Sequence, residues 1–143
     1  MGKYPDSFYR VTVKAIIRNS DGRVLFVKEG SEMWDLPGGG SNHGELVQET
    51  LQRELKEEIH YTGSIQYELK NLLPRYVKRV DACIMFVFCE VKINENYIPT
   101  IGIDSAEVAW RDPIELTKQS SGYMRELLSY LFIDKSKIPS FSD

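Results

Sequence analysis

A chain of 143 residues, 42% hydrophobic and 27% charged, can bury one core of its own and fits a single soluble domain. A formal net charge of −3 and a pI near 5.5 argue against nucleic acid polymers as partners, which call for a basic surface. The longest apolar run, Ala82 to Cys89, is far too short to span a membrane.

In chain order, Met1 to Asp6 carries no apolar signal region, and Asp6 breaks a myristoylation pattern. Tyr9 to Arg18 alternates as a strand, Asn19-Ser20-Asp21-Gly22 reads as a hairpin turn, and Val24 to Glu29 returns as a strand. Trp34 to Gly40 is extended and breaks into three consecutive glycines. Glycine is used where backbone must take a positive φ or come close to a ligand. Ser41 to Gly44 continues as loop. Glu45 to Ile59 lacks Pro and Gly, and Val47, Leu51, Leu55 and Ile59 recur every fourth residue, which predicts an amphipathic helix.

Ser64 to Leu73 reads as a strand broken at Pro74. Ala82 to Val91 is apolar on both parities and predicts a central strand buried on both faces. Asn94 to Thr100 is polar loop, Ala106 to Arg111 a short strand, and Pro113 opens a helix at its first position. Ser121 to Phe132 is a further amphipathic helix, and the tail over 134–143 reads as loose. No repeat or linker divides residues 1–143, so one domain is expected. Cys83 and Cys89 lie on one predicted strand, ~20 Å apart, and cannot bridge each other. Free thiols without an export signal fit the reducing cytoplasm.

The helix carries a puzzle. Glu54 and Glu58 fall within about 40° of its apolar line, with Glu57 on the flank, so carboxylates border the face that should pack inward. Glu54 and Glu58 are a like-charge pair at i,i+4, and all three acids sit where the helix dipole disfavours anions. A solvated acidic face is the usual meaning of such a run. Here the glycine loop and the apolar stripe point instead to a hard divalent cation, Mg²⁺ or Mn²⁺, which prefers clustered carboxylate oxygens.

Gly39, Glu45, Arg53, Glu54, Leu55, Glu57 and Glu58 together resemble the Nudix box of the MutT-like hydrolases. With ordinary residue frequencies, chance agreement at the six glycine and charged positions is on the order of 10⁻⁷ per start point. Two positions depart: His60 stands where the family has Gly, and Tyr61 where an aliphatic residue is usual. His tolerates positive φ better than most residues, and Gly63 is an alternative site for the turn. The order of sheet and helix along the rest of the chain also resembles the family, which implies an α/β fold, an α/β/α sandwich with a mixed central sheet.

The resemblance implies a hydrolase that cuts a phosphoanhydride in a nucleoside diphosphate linked to another group. Glu54, Glu57 and Glu58 would bind the metal, Arg53 would orient them, and Gly39 and Gly40 would shape the substrate loop. The general base would be Glu54, or a carboxylate outside the box: Glu90, Glu95, Asp104 or Glu107. Arg10, Arg75 and Lys78 are candidate phosphate contacts, and Tyr9, Tyr67, Tyr76 and Tyr97 candidates for stacking on a base. His43 and His60 are not expected to be ligands, and Trp34 and Trp110 are expected in the core. Subfamilies often carry a diagnostic Pro or Tyr after the box; Pro74 and Tyr76 lie there without matching one class. The short chain favours a nucleoside triphosphate or ADP-ribose-like substrate, handled by a monomer or homodimer. The competing reading is a non-catalytic nucleotide-binding module, but such modules usually lose box acids, and all are present here.

Overall fold

The computed structural model describes residues 8–28, 30, 33–103, 105 and 107–141. Its strands are β1 (Arg10–Ile16), β2 (Val24–Lys28), β3 (Trp34–Asp35), β4 (Gly38–Gly40), β5 (Gln66–Val77), β6 (Ala82–Lys92) and β7 (Glu107–Arg111). Its helices are α1 (Val47–Ile59), α2 (Pro113–Gln119) and α3 (Gly122–Phe132). The strands form a mixed four-stranded sheet, ordered β4-β1-β6-β5, and an antiparallel three-stranded sheet, ordered β3-β2-β7. The parallel pair is β1 with β6, which keeps both strands central.

The hairpin turn forms where expected: Asn19 Oδ1 accepts from the N–H groups of Asp21 and Arg23, and Gly22 takes φ 79°. Its two strands then part. A bridge between Arg18 and Val24 and the bonds from Asn19 N–H to Arg23 O and from Leu25 N–H to Ile17 O join them before each enters a different sheet. The parting makes room for α1. Val13, Ala15 and Ile17 of the first limb and Leu25 and Val27 of the second pack with Leu51, Leu55 and Ile59, all of them almost completely buried. Opposite parities, Ile16, Val24, Phe26, Phe86 and Phe88, face Met124, Leu127 and Leu128 of α3 in a second cluster. Strand β6 thus has Phe86 and Phe88 on one side and Val87, Cys89 and Val91 on the other, the two-faced burial its sequence predicts.

Three expectations need correction. The helix starts at Val47, not Glu45: Glu49 accepts from Leu46 N–H at 2.9 Å, while Glu45 stays in the preceding turn. Strand β5 runs through Pro74 to Val77. It is a sheet edge, where proline is tolerated. The tail beyond Asp134 is tied down: Phe141 is buried against Phe86 and Tyr123, and Glu126 accepts from Ser140 and from Phe141 N–H. A single aromatic late in the tail supplies the burial that its polar sequence conceals. Among the described residues no helix is long and apolar enough to cross a membrane.

Candidate active site

The glycine strand and the acidic helix meet edge to face. Strand β4 pairs antiparallel with β1, setting Gly40 opposite Thr12, Gly39 opposite Val13 and Gly38 opposite Lys14. The approach is too close for side chains. A Cβ on Gly38, at φ 130°, would lie 2.0 Å from Val13 O, and one on Gly39 would lie 2.5 Å from Glu54 Oε1. The glycines are therefore required by contact, and they bring bare backbone against the box carboxylates.

Arg53 organises that contact. Its Nε donates to Glu45 Oε2 at 2.7 Å, Nη1 to Glu54 Oε1 at 2.9 Å, and Nη2 to Gly40 O at 2.9 Å and Glu45 Oε1 at 2.8 Å. Glu57 Oε2 lies at 3.5 Å from the same guanidinium. Glu45 also accepts from Asn42 N–H and Thr50 Oγ1, and these bonds, led by Arg53, hold its carboxyl down at about 2. Glu54 is shifted the other way, because burial outweighs the attraction of Arg53 and pushes its carboxyl up. Glu58 is 1% exposed, and its Oε1 accepts from Gly38 N–H at 2.6 Å.

Behind the glycines lies a residue that sequence reasoning missed. Lys14 is buried on β1, and its Nζ donates to Asp35 Oδ2 at 3.0 Å, Leu36 O at 3.3 Å and Gly38 O at 3.4 Å. Burial works most strongly against its charge, but the attraction of Asp35 and Glu58 and the Asp35 hydrogen bond together outweigh it, so it is held above its ordinary value. The signal was present as a charge inside the apolar alternation Val11-Thr12-Val13-Lys14-Ala15-Ile16.

The family is settled by comparison with known proteins. Residues 8–131 match the NUDIX domain model. The chain belongs to the NUDIX family. An RNA pyrophosphohydrolase from Actinobacillus pleuropneumoniae serotype 5b (strain L20) is 37% identical over 81 residues, covering 51% of this chain and 39% of that protein. Another, from Sodalis glossinidius (strain morsitans), is 42% identical over 84 residues, covering 53% and 48%. The match thus takes in less than half the length of either relative. The crystal structure of a MutT protein from Methanosarcina mazei Go1 superposes with a TM-score of 0.71 over 94% of this chain and 100% of that one, at 19% identity, and so shares its fold.

In this NUDIX domain the sequence-predicted box residues come together: Gly39, Gly40, Glu45, Arg53, Glu54, Glu57 and Glu58 form one bonded group with Gly38. Among the described residues no three acid, His or Cys groups already converge as a metal cage, because Arg53 holds Glu54 and Glu57 while Gly38 holds Glu58. The donor chemistry, carboxylate oxygens at i, i+3 and i+4 on one helix, nonetheless suits a hard divalent ion.

The residues outside the box scatter. Arg10 lies over Gly40, where an added Cβ would meet its guanidinium at 2.1 Å. Arg75 donates instead to Pro139 O and Pro74 O, and Lys78 sits exposed in the turn after β5. Glu90 is engaged by Arg18 at 2.9 Å and Glu107 by Lys28 at 3.2 Å, Glu95 is exposed in the β6–β7 loop, and Asp104 lies outside the described residues. Tyr9, Tyr67 and Tyr76 are exposed, with the Tyr76 hydroxyl on Asp81, whereas Tyr97 binds Ile59 O. His43 is exposed in the loop, and His60 ends α1 in the left-handed region. Trp34 and Trp110 are only half-buried at the core margins, and Trp34 is flanked by the cations of Lys28 and Arg111.

Proposed function

We propose that this protein is a divalent-metal-dependent hydrolase that cleaves a phosphoanhydride bond in a nucleoside diphosphate linked to a further group, with Mg²⁺ as the natural ion and Mn²⁺ as an effective substitute. The observation that supports this most is the placement of Glu54, Glu57 and Glu58 on one side of α1, held by Arg53 and Gly38 against a strand without side chains. Those three carboxylates would hold the ion, which would supply charge neutralisation and Lewis acidity at the phosphate oxygens.

The chain's own groups account for the remaining tasks. Arg53 keeps the carboxylates in register through charge-assisted bonds. Gly39 and Gly40 set bare backbone against Glu54 and Arg10, so that Arg10 brings a positive charge for a phosphate chain beside the box. Of the carboxylates weighed as general base, Glu54 has the favourable position. It touches Gly39, and burial raises its affinity for a proton. Glu90 pairs with Arg18 and Glu107 with Lys28, neither cation belonging to the box.

A nucleoside triphosphate or an ADP-ribose-like molecule is the favoured substrate class. A second reading follows from the relatives named RNA pyrophosphohydrolase: a 5′-triphosphate RNA end would present the same anhydride to the same carboxylates.

The experiment is product release with Mg²⁺ across nucleoside triphosphates, ADP-ribose, nucleotide sugars, dinucleoside polyphosphates and a 5′-triphosphorylated RNA. Turnover of one class that disappears with EDTA supports the reading and names the substrate. Binding of metal and nucleotide without turnover of any would move the assignment to a non-catalytic binding module.

A further inference from the structure

The two departures from the family box, His60 and Tyr61, fall where α1 ends. A helix end leaves carbonyls that need donors. His60, at φ 55°, and Tyr61 both direct their N–H groups to Leu55 O. The later carbonyls are met by the β6–β7 loop: Gly102 N–H donates to Glu58 O at 2.8 Å, and the Tyr97 hydroxyl donates to Ile59 O.

Tyr61 fastens that loop. Its hydroxyl donates to Ser64 O and accepts from Asn94 N–H at 3.0 Å. Its ring meets that of Tyr97 edge-on, with centroids 5.3 Å apart. An aliphatic residue at position 61 would fill the same buried space but could not hold Asn94. Gly102 completes the fit, since a Cβ there would lie 2.2 Å from Glu57 O. The loop therefore touches the backbone of Glu57, Glu58 and Ile59, the stretch that carries two of the three acids.

We infer that Tyr61, Tyr97 and Gly102 form a clasp that fixes the end of α1, so that a distant loop, rather than a terminal glycine, sets where Glu57 and Glu58 present their carboxylates. These are positioning residues that act through the helix backbone. The inference rests on the metal-site reading above.

The test measures the Mn²⁺ dissociation constant, from the paramagnetic resonance of free Mn²⁺, at a temperature where every variant is fully folded in EDTA. Tyr97→Phe and Tyr61→Phe remove one hydroxyl each, and Gly102→Ala pushes on the loop. Tyr130→Phe on α3, which loses a bond from Asn71 of β5, is the control. Tyr97→Phe should weaken Mn²⁺ binding roughly three- to tenfold, as loss of one ordinary hydrogen bond does. Gly102→Ala should weaken it at least as much, and the control should match wild type.

Unchanged Mn²⁺ affinity in Tyr97→Phe and Tyr61→Phe, whatever their melting temperatures, would overturn the clasp while leaving the metal site standing. Wild-type protein that binds no Mn²⁺ at millimolar concentration would remove the metal reading itself, and the clasp with it. Should Gly102→Ala not fold, the two Phe variants decide.

Discussion

Gly38 and Glu58 are joined by a 2.6 Å hydrogen bond from backbone N–H to carboxylate across a sequence separation of 20. That bond couples the strand whose backbone approaches β1 to the acid that sits deepest in the helix. Gly38→Ala attacks it directly, because the new Cβ would collide with Val13 O and the φ of 130° disfavours any L side chain. A loss of about 2–4 kcal/mol is expected, lowering the melting temperature by roughly 5–15 °C. An unshifted melt would mean that β4 can move without consequence.

Glu57 is the most accessible of the three acids, with its side chain 37% exposed. Glu57→Gln should therefore leave the melt in EDTA within about 0.5 kcal/mol of wild type while reducing turnover at least ~100-fold. Retained activity in a folded Glu57→Gln protein would contradict its assignment to the metal.

Lys14 and Asp35 form the buried ion pair behind the glycines. Lys14→Met keeps the stem but leaves Asp35 uncompensated; Asp35 retains some access to water, so a loss of about 1–3 kcal/mol is expected rather than the full penalty of a buried charge. The folded Lys14 is held above its ordinary value, so its contribution is present at neutral pH and disappears as pH rises through the folded value. Urea titrations of wild type and Lys14→Met should thus differ at pH 7 and converge only at strongly alkaline pH.

Glu45 behaves in the opposite sense. Its carboxyl titrates at about 2 in the folded chain, below the ordinary ~4.3 of an unfolded glutamate. The stability it supplies is complete above the unfolded value and is lost as pH falls toward 2. Glu45→Gln should flatten the acid limb of the stability–pH curve between pH 5 and pH 2; an identical limb would show that Arg53 does not depend on it.

Cys89 is buried, and burial pushes its thiol up to about 11, while Cys83 is partly exposed. A thiol reagent at pH 8 should label Cys83 in the native protein and both cysteines after denaturation. Prompt labelling of both without denaturant would contradict the packing of β6.

The box was legible in the sequence because its constraints are local. Helical spacing alone places Glu54, Glu57 and Glu58 on one side of α1, and acids set beside an apolar stripe conflict with helix physics unless something cationic is nearby. The alternation of β6 told of burial on both faces for the same reason: periodicity is written residue by residue. The tertiary structure decided what depends on distant pairing. Which sheet β1 and β2 would enter, the burial of Lys14 beside Asp35, the anchoring of the tail by Phe141, and the meeting of Tyr61 with Tyr97 each need segments brought together by the fold. Short-range patterns carry no record of those partners, since a tyrosine or lysine acquires its role from the residue across the gap.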